Sequence, residues 1–521
     1  MPDCRQEDLN ESILFHTRDD TILLVDIPHS IAQAQRLSQG TNIRELQISP
    51  ESVDFKTKNH RSILSLSPLE KSYDSSTEPK TQSARAKVLS RISSSEQRFH
   101  GQFILPLVAS ALDEIRAEYK SHNQRWCLPR VLHEEGHRGH QEESKLDELS
   151  SATKRKRIFE HSTSECVAEF TVKDELNNDL RLSINEPPTI LSCTSSNLFP
   201  SVSKLTNTVV KNPSSKDATL LIGSPSKDNE DSESFYSREC TIPPHSNFAL
   251  CTLPLSRQEP LDNPIPGLSS NHLFNLILFD PPWPNRSVKR SREYETHSYS
   301  DMDLLSKWIR DVLRVHAYRP PRDTKENLFS SALPPLAPNG KQNSSQENFA
   351  AIWITNSEKA RKVAYEALLG SGFIIYEEWI WIKTTASGEA VCPLDGIWRK
   401  PYEILVIGRR YQTSMIPDLD INLGSTVQSA EDDLLGVDPG TIPRRVIAAV
   451  PDLHSRKPNL KPIFERLLFN SRSKEGGLES LLEYSALEVF ARNLTAEWWA
   501  CGNEVLKFND RNHWIEQDDS I

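Results

Sequence analysis

Several things are scarce in this chain. Glycine supplies only 18 of 521 residues, against 34 prolines, and no Gly-x-Gly-x-x-Gly run occurs. Nothing therefore announces a glycine-cradled cofactor loop of the usual dinucleotide type. Positive charge is in deficit. A formal net charge of -11 argues against a polyanion binder that is basic overall, and confines any nucleic-acid contact to one face. The eight cysteines (Cys4, Cys127, Cys166, Cys193, Cys240, Cys251, Cys392 and Cys501) are scattered, with none at Cys-x-x-Cys spacing. That excludes the usual zinc frameworks and leaves reduced thiols as the expectation, with no metal. No apolar run approaches the ~20 residues that span a bilayer. The start, Met1-Pro2-Asp3-Cys4-Arg5-Gln6-Glu7, is polar and acidic rather than signal-like. The expectation is a soluble intracellular protein.

Mean hydropathy is low, at -0.53, and the polar stretches concentrate in the first half. Much of that half lacks the apolar surface needed to order itself. Residues 1–98 read as a poorly defined N-terminal segment with one short strand, Thr21–Asp26. Within 99–121, Phe103, Leu107, Leu112, Ile115 and Tyr119 fall at helical spacing, which predicts an amphipathic helix from Pro106 to Lys120. Its apolar stripe must dock on its own domain or on a partner, and a protein partner engaged through the N-terminal region is one expectation. Residues 122–215 read as a disordered linker. Within it Lys154-Arg155-Lys156-Arg157 resembles a short nuclear-import signal, so the nucleus is favoured over the cytoplasm.

From about residue 216 to 515 the pattern changes. Apolar runs at Ala218–Ile222, Phe274–Phe279, Ala351–Thr355, Phe373–Thr384, Ile404–Ile407, Val446–Val450, Leu487–Phe490 and Val505–Phe508 alternate with helical segments at 301–317, 357–369 and 459–469. This alternation predicts an α/β domain with a largely parallel sheet. A late antiparallel pair follows from the closeness of Tyr402–Arg410 to the strand before it. Two Pro-, Ser- and Asn-rich stretches, 320–347 and 411–441, read as insertions, since structureless loops of that length are unusual inside a compact domain.

The chemistry points to Asn275–Trp283. An apolar strand runs directly into Asp280-Pro281-Pro282-Trp283. In open α/β sheets ligands bind at the carboxyl ends of strands, where this tetrapeptide falls. The residue types suit an exocyclic amine whose lone pair is delocalised into a ring. A carboxylate accepts from the amino group. The two prolines fix a stiff loop whose carbonyls can accept too. Trp283 can stack on a base face, worth roughly 1–3 kcal/mol. Transfer of a methyl group in line to such an amine depends mostly on alignment. A plain turn after a buried strand is the competing reading of the same four residues.

Asp280–Trp283 resembles the signature of the nucleic-acid adenine-N6 methyltransferases that include the messenger-RNA N6-adenosine writers. The continuation Asn285–Ser291 is most similar to the methyltransferase-like 4 branch of that family. Further matches follow in order: Lys400–Gly408, His454–Pro458, Leu487–Leu494, then Trp498 and Gly502–Phe508. The resemblance implies a Rossmann-like S-adenosylmethionine-dependent fold in permuted motif order, with the catalytic loop before the cofactor strand. It implies a catalytic set of Asp280, Pro281, Pro282 and Trp283. It assigns Asp280, Lys457, Phe490, Arg492, Asn493, Asn503 and Glu504 to S-adenosyl-L-methionine, where such side chains can serve ribose hydroxyls and the methionine end. On the substrate side stand Trp283, Asn285, Lys400, Tyr402 and Glu403, facing the target nucleotide, while Lys289, Arg290 and Arg292 directly follow the catalytic loop, placed to grip the flanking phosphates. One departure is the stretch Ala249–Thr252, which carries no acid where the family often places one near the cofactor adenine. The expected activity is methyl transfer to adenine N6 in nucleic acid. RNA of the small nuclear type, with 2′-O-methyladenosine as a target, is favoured over DNA. The alternatives are a catalytically silent nucleic-acid-binding subunit and a transferase for another planar amine.

Overall fold

The structure is a computed structural model. It describes residues 12–37, 60–73, 78–119, 125–132, 187–223, 238–257, 259–283, 302–319, 347–397, 399–410, 436–453, 456–471, 480–481 and 484–517. Its frame is one mixed sheet of twelve strands. In chain order these are β1 (Ile13–His16), β2 (Ile22–Val25), β3 (Thr189–Ile190), β4 (Val209–Lys211), β5 (Asn247–Leu250), β6 (Leu276–Phe279), β7 (Phe349–Ile354), β8 (Phe373–Lys383), β9 (Tyr402–Arg410), β10 (Arg444–Ala449), β11 (Ala486–Val489) and β12 (Trp499–Gly502). Across the sheet they run β1-β2-β10-β8-β9-β7-β6-β11-β12-β5-β4-β3.

The centre of that order is parallel. β7, β6, β11, β12 and β5 pair in parallel, Leu278 lying opposite Glu488 and Phe279 opposite Val489. All four residues of β6 are buried, as are all six of β7. Strands covered on both faces read as continuous apolar runs rather than as alternation. The antiparallel pair expected late in the chain is present. β9 lies between β7 and β8 and runs against both, with a bulge between Ile375 and Glu377.

Helices cover the faces. One helix, α3 (Met302–His316), buries Leu305, Trp308, Ile309, Val312 and Leu313, the i, i+3, i+4 stripe of a core-facing helix. It packs against α4 (Glu358–Leu369), whose alanines allow close approach. The helix expected at 106–120 is α2 (Leu105–Glu118), and it docks within the chain. Val108, Leu112 and Ile115 join the core formed by Ile380, Val406 and Val446.

Four expectations are corrected. The N-terminal segment 1–98 is not merely undefined, because β2 pairs in parallel with β10 and is followed by α1 (Ile27–Ala34). The strand expected at Thr21–Asp26 is present as β2, but its apolar run does not reveal that it joins the main sheet. The linker 122–215 ends earlier than composition suggests. β3 and β4 belong to the main sheet, and Asn197–Phe199 pairs with Ala218–Ile222 in a separate three-stranded sheet. Val505–Phe508 is not a strand but part of a turn and a short 3-10 helix at Lys507–Asn509. The 459–469 helix is one α turn, Lys461–Phe464, opening into a wider π-type turn over Glu465–Phe469. The segment 133–186, residues 320–346 of the first insertion and residues 411–435 of the second lie outside the described residues, Lys154–Arg157 among them.

Candidate active site

The chain leaves β6 through α3 to β7 on one side, while β11 leads to β12 on the other. The order of strands therefore reverses between β6 and β11, and a crevice opens at their carboxyl ends. Asp280 sits there. Its backbone N–H donates to the Val489 carbonyl at 3.1 Å, so the parallel ladder itself fixes where the acid begins.

The Asp280 carboxylate lies between two cations. Lys457 Nζ is 2.7 Å from Oδ1, and an Arg492 guanidinium nitrogen is 3.6 Å from Oδ2. Lys457 also reaches Glu403 at 3.3 Å, and Glu403 reaches Lys383 at 2.6 Å. On the other side Arg492 Nε donates to Glu504 at 2.9 Å, and Glu504 meets Lys507 at 2.9 Å. Seven side chains thus alternate in sign: Lys383, Glu403, Lys457, Asp280, Arg492, Glu504 and Lys507. Burial alone would raise Glu403, but Lys383 and Lys457 outweigh it and hold its carboxyl down to about 2. Burial opposes the charge on Lys457 too, yet Asp280 and Glu403 prevail and raise its pKa. The ammonium also lies 5.5 Å from the centre of the Trp353 ring.

An eighth group joins them. Glu488, on β11, faces the same cleft. Burial, and then the charge of Asp280, push its carboxyl up to about 8, although Lys457 and Arg492 pull the other way. The site therefore pairs one carboxylate ringed by cations with one carboxylic acid held neutral. The cleft is lined by Leu278, Asp280, Trp353, Lys457, Asn459 and Glu488, with Arg492 and Trp498, and holds about 40 Å³ of free space between these side chains.

The expected site residues fall into three groups. Asp280, Glu403, Lys457, Arg492, Asn493 and Glu504 gather at this cleft or along the charge chain bordering it. Asn503 follows Gly502 at the end of β12, beside Glu504. Phe490 adopts φ 62°, a left-handed conformation that turns the chain after β11. Its ring packs edge-on against Trp308 at 5.5 Å, so it shapes the loop from the core side. Gly502, at φ 142°, lets β12 pass close to Phe490, where an added Cβ would come within 3.3 Å of its Cα.

Two residues expected to touch substrate do not have the surface for it. Trp283 is only 6 % exposed, and its indole N–H donates to the Trp353 carbonyl at 2.7 Å. It is a core anchor for the Pro281-Pro282 turn rather than an open stacking platform. Tyr402 is 1 % exposed, with its hydroxyl 3.0 Å from His100 Nδ1. Being the first residue of β9, it points into the core while its neighbour Glu403 points to the cleft, as the two-residue period of a strand requires. Lys400 is half-buried and directs its ammonium to the Gly396 carbonyl at 3.4 Å. Asn285, Lys289, Arg290 and Arg292 lie outside the described residues. Ala249, Leu250 and Cys251 are buried, with the Cys251 N–H donating to the Gly502 carbonyl at 3.3 Å, so no acid enters from that strand.

Sequence reading missed Glu488, Lys383 and Asn459. The signal for Glu488 was available as a lone acid inside the apolar run Leu487–Phe490, on a strand expected to be central. It also missed a buried group below the Lys457 loop. There Asp452 accepts from Arg456 at 2.7 Å and from the Leu66 N–H at 2.9 Å, and Arg130 donates to the Val450 and Pro451 carbonyls.

The fold and this cleft define an α/β methyltransferase-type domain, and residues 341–504 match the family model described as MT-A70. That stretch is similar to a domain of the MT-A70 family. The match begins beyond β6, so Asp280–Trp283 precedes it. Among curated relatives, the chain is 36 % identical over 251 residues to the N6-methyladenosine RNA methyltransferase MTA1 of Cryphonectria parasitica, covering 47 % of this chain and 55 % of that protein. It is 32 % identical to MTA1 of Pyricularia oryzae, over 48 % of this chain and 51 % of that one. It is 30 % identical to the N(6)-adenine-specific methyltransferase METTL4 of Mus musculus, over 53 % of this chain and 45 % of that one. The chain thus spans about half the length of the curated relatives it matches. These findings bear out the family resemblance and the fold class expected from the motifs.

Proposed function

We propose that the protein transfers a methyl group from S-adenosyl-L-methionine to N6 of adenine in nucleic acid, with RNA the favoured substrate. The observation that carries this reading is the placement of Asp280. It stands at the strand reversal, turned into a cleft bordered by β11 rather than into solvent. The relatives' names support adenine N6 as the acceptor, and the MTA1 names favour RNA.

The residues present suit this cofactor. Its methionine end carries one positive and one negative group, and the charge chain offers Asp280 and Glu504 for the first, Arg492 and Lys457 for the second. Asn503 and Glu504 can serve the ribose hydroxyls. When bound, the cofactor supplies an electrophilic methyl on sulfur. The protein's own part is alignment. Asp280 accepts from the amino group and orients its lone pair. Pro281 and Pro282 keep that acceptor from swinging away, and Trp283 pins the turn to β7 from below. Glu403 and Glu504 keep the two cations, Lys457 and Arg492, placed on either side of Asp280.

Small nuclear RNA, including 2′-O-methyladenosine, is the proposed substrate class, and the nucleus the proposed location. The test is to incubate the protein with labelled S-adenosylmethionine and separate RNA and DNA pools, then digest to nucleosides. N6-methyladenosine from the RNA pool is expected. Label in protein, or none in either pool, would reject the reading.

A further inference from the structure

The three turns that carry the cofactor-side residues come from three separate strand ends. Lys457 stands on the segment after β10, Arg492 and Asn493 on the turn after β11, and Asn503 and Glu504 on the turn after β12. A sheet fixes the strands but leaves such turns to find their own support. Here the support comes from the N-terminal helix α1, more than 400 residues away in sequence.

Gln35 caps the end of α1 and is only 4 % exposed. Its side-chain N–H donates to the Leu494 carbonyl. Its carbonyl oxygen accepts from Asn509 Nδ2 at 3.0 Å, and Asn509 Oδ1 accepts from the Leu494 backbone N–H at 2.7 Å. The three form a closed ring of hydrogen bonds that clasps Leu494 through both its N–H and its C=O. Leu494 is fully buried and lies two residues after Arg492. The Arg492 carbonyl in turn accepts from the Phe508 N–H at 2.8 Å, so the turns after β11 and β12 are joined on both sides of the ring. One helical turn earlier, Ser30 accepts from the Asn459 backbone N–H at 3.0 Å. Asn459 lines the cleft beside Lys457 and donates from its side chain to Thr495 at 2.8 Å. The Ala496 N–H donates to the Ala34 carbonyl at 2.7 Å.

From this ring we infer that Gln35 is a positioning residue for cofactor capture, with Ser30 in a lesser role, and that α1 is a working part of the methyltransferase site. The inference rests on the cofactor reading above. A buried primary amide whose donor and acceptor are both used sets the distance between two turns more tightly than apolar packing, because every misplacement strands a polar group. The cost of losing it should fall on the affinity for S-adenosylmethionine and not on the nucleic acid, because the ring touches none of the residues expected to meet substrate.

The experiment compares full-length wild type, Gln35→Leu, Ser30→Ala and Ile31→Val. Ile31 is an equally buried residue of the same helix that packs only in the core. Calorimetric titration with S-adenosylmethionine should show Gln35→Leu weakened by about tenfold and Ser30→Ala by about threefold, the range expected when buried hydrogen bonds are removed. Its KM for the oligonucleotide should stay near wild type. Ile31→Val should lose melting temperature with no change in cofactor affinity. A Gln35→Leu protein that melts lower but binds the cofactor as wild type does would overturn the inference. Hydrogen exchange on the wild type decides the matter if that variant fails to fold. Added S-adenosylmethionine should slow exchange at residues 29–36 together with residues 491–496, and no change at 29–36 would overturn it equally. Absence of any cofactor binding by wild type would instead sink the functional reading itself.

Discussion

Replacing Asp280 by alanine separates catalysis from folding, because the charges around it are shared. Lys457 loses its 2.7 Å contact but keeps Glu403 at 3.3 Å, and Arg492 loses a 3.6 Å contact but keeps Glu504 at 2.9 Å. Orphaning a fully buried ion costs about 3–5 kcal/mol. Here neither cation is orphaned, so the stability loss should stay near 1–2 kcal/mol, the ordinary range for a single substitution. The rate should respond far more. Removing a positioned acceptor or proton-handling carboxylate typically costs about 10²–10⁴-fold. The assay pairs thermal melting with nucleoside analysis of product formed from labelled S-adenosylmethionine. The expected outcome is a melt within a few degrees of wild type, with N6-methyladenosine falling to trace. Turnover within tenfold of wild type in a normally folded Asp280→Ala protein would refute the mechanism.

Other consequences follow from the same geometry. Glu488 has its carboxyl raised to about 8 from a usual 4.5, so folding favours its protonated form. That contribution is intact below pH 4.5 and declines as pH rises toward 8, as the unfolded chain gives up its proton first. Glu488→Gln should therefore gain melting temperature relative to wild type as pH increases from 5 to 8, and a flat difference across that window would count against the neutral acid. Trp283→Ala should cost about 3–5 kcal/mol in denaturant unfolding, since it empties a buried site and strands the Trp353 carbonyl. If it instead kept full stability and raised only the KM for oligonucleotide, the ring would be a stacking surface after all. Tyr402→Phe leaves His100 Nδ1 without its 3.0 Å partner and should lose about 1–3 kcal/mol of stability by the same measurement, with oligonucleotide KM unchanged.

Much of the site was legible because its residues sit where local rules act. A four-residue apolar strand ending in Asp-Pro-Pro needs only the preference of ligands for strand ends to mark Asp280. Lys457, Arg492 and Glu504 came from the order of motifs, and the structure brings them to that acid. The misreadings share another cause. Trp283 and Tyr402 carry residue types that suit either a base or a core, and only the packing beneath β6 and β9 decides between them. The strand Thr21–Asp26 was legible from its apolar run, but β1 and the place of both strands in the main sheet were not, because β2 joins that sheet through β10 and nothing local announces a neighbour so distant. Val505–Phe508 looked like a strand because its apolar side chains, Val505, Leu506 and Phe508, alternate with nothing in particular. They plug the core under a turn instead.

The pairing of β2 with β10 sets Ile22 beside Val446. During synthesis the first of these emerges from the ribosome more than 400 residues before the second. At about 5–20 residues per second that is roughly 20–80 s in which the wholly apolar run Ile22–Val25 has β1 on one edge and nothing to join on the other. The nascent chain must carry a two-stranded hairpin with one open, adhesive edge for most of its translation, so its yield in a cell should depend on chaperones that shield such edges and on how fast the ribosome reaches the later half.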